Sequence, residues 1–151
     1  SKIENNQLSP TFESILKIIS GLNIDISDLL TSIQNEAPRT RRVFTRKGEG
    51  EIHITENYHY ETLCNEIINK KMIPIVTKIK SHSIERFGEM MRHSGEEVFF
   101  VLEGTVELIT EHYAPVKLSQ GDCAYFDSSM GHACISSGKN DALIFWVSTP
   151  N

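Results

Sequence analysis

Six histidines occur in the 151-residue sequence: His53, His59, His82, His93, His112 and His132. Most read as ordinary surface or half-buried polar side chains. His93 and Glu97 stand apart, because they bracket His-Ser-Gly-Glu-Glu, where a tight turn returns the chain and aims both side chains one way. His132 follows far down the chain at the start of a strand, after the small residues Ser128 and Ser129. Two imidazoles and a carboxylate pointing inward make a divalent metal site suited to Mn, Fe, Ni or Zn. The alternative is a buried polar cluster satisfied by hydrogen bonds. Three cysteines, Cys64, Cys123 and Cys134, without C-x-x-C spacing, fit a reducing compartment, hence a cytoplasmic protein, better than a disulfide framework. Cys123 and Cys134 are redox-sensor candidates only if they are accessible, since buried thiols are inert.

Those residues need elements to hold them, and from Glu51 onward the apolar period is two. Strands are expected at Glu51–Thr55, Tyr58–Leu63, Pro74–Lys80, Glu97–Leu102, Val106–Thr110, Pro115–Leu118, Cys123–Phe126, Ala133–Ser136 and Ala142–Val147. Glu103-Gly104, Gln120-Gly121-Asp122 and Ser137-Gly138-Lys139-Asn140 separate several of them as turns. Many short strands at this spacing mean a mainly β antiparallel barrel or sandwich. If Glu97 points inward, alternation takes Phe99 and Val101 with it; His132 takes Cys134 and Ser136, and Met91 shares a face with His93. The expected ligand pocket is therefore Met91, His93, Glu97, Phe99, Val101, His132 and Cys134, with a solidly filled barrel core as its alternative. Tyr125, Phe145 and Trp146 are expected in the core or at a dimer interface.

Upstream the pattern is helical. Ser9-Pro10 is an N-cap before a first-turn proline, and Phe12, Ile15, Leu16 and Ile19 share a face. Asp25 caps a second short helix through Leu30. The expected organisation is helical residues 1–35, a linker at 36–42, and a β domain at 43–151 whose first strand lies near Val43-Phe44. Arg39, Arg41, Arg42, Arg46 and Lys47 around the linker read either as phosphate contacts or as a solvated charge cluster. A net charge of −5 and 39% hydrophobic residues describe a soluble globular chain, with no transmembrane stretch and no secretory signal pattern. Opening mid-element at Ser1, without an initiator Met, the sequence is expected to be part of a longer protein.

The run Arg92 to Gly104 (R-H-S-G-E-E-V-F-F-V-L-E-G) resembles the first motif of the cupin superfamily, and Gly121 to His132 resembles its second. The resemblance implies a cupin, a jelly-roll-like barrel that is often dimeric. In metal-binding members two first-motif histidines, a glutamate and the second-motif histidine hold the ion. Here His93, Glu97 and His132 match three of those positions, while the first histidine position falls on Met91, whose soft thioether suits Mn, Fe or Zn poorly. Asp127, Ser129 and Ser136 also depart from the second motif. The N-terminal Ser1-Lys2-Ile3-Glu4-Asn5, with Leu8 to Thr11 and Ile15 to Ile19, resembles the end of a lambda-repressor-like (Xre-type) helix-turn-helix domain, a domain found joined to cupins in bacterial regulators.

On these grounds the chain is expected to be the ligand-sensing, dimerising cupin part of a transcriptional regulator and not an enzyme. No catalytic residue and no cofactor is then expected, a divalent metal at His93, Glu97 and His132 being the secondary expectation. The expected partners are a small-molecule effector, a second copy of the chain, and DNA for the full-length protein only, with Lys2 nearest the DNA. The alternative reading is a metal-dependent cupin enzyme, an isomerase or dioxygenase, acting on a small organic substrate.

Overall fold

Alternating apolar and polar residues set the strand faces, and turn residues set where each strand stops. The computed structural model describes residues 42–67 and 70–149. Nine strands occur among them: β1 (Glu51–Ile54), β2 (Tyr58–Thr62), β3 (Ile73–Ile79), β4 (Glu96–Glu103), β5 (Thr105–Thr110), β6 (Tyr113–Ser119), β7 (Cys123–Asp127), β8 (His132–Ser136) and β9 (Ala142–Ser148). They coincide with the nine segments read from the alternation. One four-residue helix, α1 (Ile84–Phe87), is N-capped by Ser83 and buries Phe87. The strands form two antiparallel sheets, of order β1-β2-β3-β9-β4-β7 and β6-β5-β8.

The expected strand at Val43-Phe44 is absent. Residues 42–46 have no regular structure, and Phe44 is 65% exposed with the Arg46 guanidinium 5.3 Å from its ring centroid. A cation over an aromatic face, rather than a strand ladder, accounts for that apolar pair. The helical residues 1–35 and all of the 36–42 linker except Arg42 lie outside the described residues, as does Lys2.

The inner faces of the two sheets enclose the core. On β4 the buried residues are Glu97, Phe99 and Val101, on β9 Ala142, Ile144, Trp146 and Ser148, and β8 is buried throughout. Aromatic rings fill the middle: Trp146 lies 6.0 Å from Tyr58 and 5.8 Å from Phe99, and Phe99 lies 6.5 Å from Phe126, ring centre to ring centre. Tilted and edge-on contacts of this kind add about 0.5–1.5 kcal/mol each beyond the area they bury. Tyr58 also bolts the sheets together. Its hydroxyl donates to the Cys134 carbonyl (2.9 Å) and accepts from the Cys134 N–H (3.1 Å), crossing from β2 to β8.

Candidate metal centre

The segment ahead of β4 is folded so that His93 and Glu97 reach the same place. Met91 and His132 exchange two backbone hydrogen bonds, 2.8 and 2.9 Å long, so the strand carrying one is registered against the other. His93 N–H donates to the Ser128 carbonyl and Ser128 N–H to the Gly95 carbonyl, closing the turn on the loop before β8. Gly95 sits at φ 101°, where a Cβ would come within 2.0 Å of the Thr149 carbonyl oxygen. Only glycine makes that turn without displacing the chain after β9. Glu97 then enters β4 between Phe126 of β7 and Ser148 of β9.

Three ligand atoms converge as a result. His93 Nε2 lies 2.9 Å from Glu97 Oε1, and His132 Nε2 lies 3.4 Å from Glu97 Oε2. One donor atom from each residue fits within 4.8 Å of the others, and the side chains are 6, 2 and 0% exposed for His93, Glu97 and His132. Each imidazole is oriented from behind: His93 Nδ1 is 3.0 Å from the Ser94 carbonyl and His132 Nδ1 is 2.9 Å from the Met130 carbonyl. A carbonyl only accepts, so Nδ1 carries the proton on both rings and Nε2 is left to face Glu97. The Phe126 ring, 5.1 Å from that of His132, walls one side.

The donor set fits a divalent cation on two observations. Glu97 Oε2 is buried and accepts no hydrogen bond among the described residues, which a buried carboxylate oxygen tolerates only at a cost. In addition, His93 Nε2 and Glu97 Oε1, both acceptors in their metal-binding forms, approach to 2.9 Å and require a proton or a cation between them. Two histidines and one carboxylate on one side of an ion, with other positions open, is the ligand pattern of non-haem iron(II) oxygenases.

A cavity of about 10 Å³, room for one water, lies beside Glu97 and is lined by Tyr60, Ile75, Met91 and Trp146. Trp146 Nε1–H, on a residue 4% exposed, has no hydrogen-bond acceptor among the described residues. Burial pushes the Tyr60 phenol well above its ordinary pKa, with the Glu97 charge adding to it. Burial does the same to the Cys134 thiol, again with help from Glu97, so this cysteine stays a thiol and is no redox sensor.

Of the residues expected to line a pocket, His93, Glu97 and His132 come together and Met91 borders the cavity. Phe99, Val101 and Cys134 do point inward, but they are packed in the core and do not line it. Tyr60, Ile75 and Trp146 take their place. They come from β2, β3 and β9, whose cross-strand neighbours no local sequence signal reveals; the inward register of Trp146 was the one available hint. Tyr125, expected in the core or an interface, is exposed, and Phe145 lies on the outer side of the six-stranded sheet. On the far side of Phe126 a separate groove of about 630 Å³ runs between β6 and β7, with Arg92, Tyr113 and Met130 among its walls, and does not include the three ligands.

Residues 84–148 match the family model described as Cupin domain. The hydroxypropylphosphonic acid epoxidase from S. wedmorenis in complex with fosfomycin is similar in structure, with TM-score 0.62, 19% identity, and 91% of this chain and 75% of that chain covered. The iron(II) form of HppE gives the same TM-score of 0.62 and 19% identity, over 91% of this chain and 76% of that one. An RmlC-like cupin from Shewanella frigidimarina NCIMB 400 gives 0.56 and 15%, over 75% of this chain and 95% of that one. A search of curated protein sequences returned no match. No helix among the described residues is long and apolar enough to cross a membrane.

The expectation that the chain is not an enzyme is corrected here, and of the two cofactor expectations it is the divalent metal at His93, Glu97 and His132 that the site supports. The non-enzyme expectation rested on the missing first-motif histidine, but a facial set needs only three protein ligands, and all three are assembled and buried with their Nδ1 protons anchored. An iron(II) protein stands among the fold's neighbours. Met91 supplies no imidazole but borders the small cavity beside Glu97, and the three-residue set is assembled without it. The family match covers residues 84–148, and two antiparallel sheets surround this centre, the fold that the similar solved structures share.

Proposed function

We propose that the chain is a mononuclear metalloenzyme, with iron(II) the best-fitting ion, that acts oxidatively on a small organic substrate. The observation that carries this reading is the buried, three-cornered set of His93, Glu97 and His132 with its donor atoms within 4.8 Å of one another. Bound iron would supply one-electron chemistry with dioxygen and open positions for substrate.

The chain's own residues do the rest. Glu97, with one oxygen facing each imidazole, would hold the ion together with His93 and His132. The Ser94 and Met130 carbonyls hold the Nδ1 protons and fix the ring planes, 85° apart between His93 and His132. Phe126, Trp146 and Phe99 exclude bulk water, which raises the worth of every electrostatic contact inside. Trp146 Nε1–H has no acceptor among the described residues, so a substrate oxygen reaching the cavity would meet that donor.

Anaerobic titration of the full chain with Fe(II) tests the reading. One equivalent bound per chain, followed by dioxygen uptake when small hydroxylated acids such as hydroxypropylphosphonic acid are added, is the expected result. Failure of Fe(II), Mn(II), Co(II) and Zn(II) alike to bind stoichiometrically at 100 µM (about 5.5 kcal/mol of binding free energy) would overturn it.

A further inference from the structure

The space inside the metal centre is too small for an organic molecule. The cavity beside Glu97 has about 10 Å³, room for one water or one substrate oxygen. A larger space begins behind a single ring. Phe126 pairs with Glu97 across β4 and β7, is 7% exposed, and lies 5.1 Å from the His132 ring, centre to centre. It also lines the groove of about 630 Å³ between β6 and β7. Two more groove residues adjoin His132: Thr110 pairs with it across β5 and β8, and the Met130 carbonyl lies 2.9 Å from its Nδ1. The groove and the metal centre thus share a wall, and Phe126 stands in it.

Both strands that flank the groove are sheet edges, β6 bonded only to β5 and β7 only to β4. Proteins ordinarily blunt such edges with charge. Here the groove instead carries Tyr113 and Val116 from β6 and Tyr125 from β7, which are 72, 46 and 66% exposed. Phe126 and Leu108 extend that apolar surface inward, and Thr110, His112 and Ser129 add polar groups. A concave apolar surface with a few polar groups is what a small-molecule site requires. An apolar cavity of about 150 Å³ is already enough for benzene, so the groove has space to spare. Tyrosines on the two flanking strands select a flat ring, because offset and edge-on aromatic contacts add stability beyond the area they bury.

We propose that the groove seats a flat, hydroxylated aromatic molecule between Tyr113 and Tyr125, and that displacing the Phe126 ring opens the groove onto His132 and Glu97. This rests on the metalloenzyme reading above and narrows its substrate to one class. Strand β7 yields most readily here, having ladder bonds on one side only. A segment that moves to admit substrate and otherwise stays shut keeps such a centre dry.

Calorimetric titration of the metal-free full chain with 4-hydroxybenzoate tests the groove without any metal. One molecule per chain is the expected stoichiometry. Binding should be about tenfold weaker for 4-hydroxycyclohexanecarboxylate, which carries the same groups on a ring that is not flat, and about tenfold weaker in the Tyr113→Ala, Tyr125→Ala double variant. Both tyrosines are exposed, so circular dichroism should not change. No binding at about 10 mM, or equal binding of the two acids, overturns the proposal even where Fe(II) binds. Failure of the metals to bind would strike the metalloenzyme reading and leave the groove result standing. The wall is read separately, from the rate at which diethylpyrocarbonate modifies His132 in the metal-free chain. Alkylation of Cys134, buried two residues further along β8, monitors general loosening. Phe126→Ala, or Phe126→Leu where the alanine variant does not fold, should raise the His132 rate severalfold and leave Cys134 unreactive. An unchanged His132 rate, or a matching rise at Cys134, overturns the role of Phe126.

Discussion

Two of the clusters that join histidine to carboxylate among the described residues do different things. His93, Glu97 and His132 lie inside the barrel, whereas Lys80, His82 and Asp141 lie at its rim, partly exposed. In the rim cluster the Lys80 ammonium pairs with Asp141 Oδ2 and His82 Nε2 lies 3.0 Å from Oδ1, so both carboxylate oxygens are engaged by the protein's own groups. In the inner cluster no lysine or arginine is among the partners recorded for Glu97, and one of its oxygens accepts no hydrogen bond among the described residues. The residue types are nearly the same; what differs is whether a protein cation neutralises the carboxylate. The rim cluster is a finished salt bridge, whereas the inner one needs a proton or a cation between His93 and Glu97.

The sharpest way to break that comparison is Glu97→Gln. The amide keeps the shape but offers one neutral oxygen, so Fe(II) affinity should fall by more than the roughly 10–100-fold that removing a mere supporting partner costs. Thermal shift measures it directly. Fe(II) at about a hundred times its Kd should add about 2.7 kcal/mol of stability to the unmodified chain. The same addition should leave the Glu97→Gln melting curve unmoved. An equal shift in both would place the ion somewhere other than the inner cluster.

A middle-sized effect sharpens the question of what holds the inner cluster in place. Tyr58 clamps β8 two residues after His132 through both backbone groups of Cys134, and the site is fully buried. Tyr58→Phe removes the hydroxyl and strands the Cys134 N–H and carbonyl, which should cost about 2–3 kcal/mol in urea unfolding. Fe(II) affinity should fall less than in Glu97→Gln, because every ligand remains. A cost below about 0.5 kcal/mol would mean that a water replaces the phenol and that the clamp is dispensable.

The two clusters also mark how far a sequence can be read. His93, Glu97 and His132 were recognisable because a turn glycine and strand alternation fix where side chains near in sequence point. The nine strands were recognisable for the same local reason. Val43-Phe44 misled because two apolar residues satisfy a strand pattern that Phe44 instead resolves with Arg46. Tyr60, Ile75 and Trp146 stayed hidden because their meeting depends on the β2–β3–β9 register, set by pairing partners as far apart as Thr77 and Ile144. The Asp141 pairing with Lys80 and His82 was invisible for that reason too. Met91 falls at the first-histidine position of a four-residue pattern, and counting ligands against that pattern gave little weight to the three-residue set of His93, Glu97 and His132.

The smallest effect belongs to the rim. Hydrogen bonding to Lys80, and then to His82, holds the Asp141 carboxyl below the usual carboxylate range. A carboxylate whose folded pKa is depressed stabilises the fold above its unfolded pKa, and that contribution is lost as the pH falls through the folded value. Asp141→Asn should therefore cost no more than about 1 kcal/mol at pH 7, since exposed pairs are screened by solvent and salt. Urea midpoints of the two proteins should converge as the pH drops below the folded pKa, and should also converge at pH 7 as salt is raised. The Fe(II)-induced thermal shift should be identical in both, because the neutralised carboxylate has nothing to offer a metal. A gap that survives acid and salt would assign Asp141 a packing role, whereas a loss of metal binding would mean that the two clusters are coupled through β8 and the loop that joins it to β9.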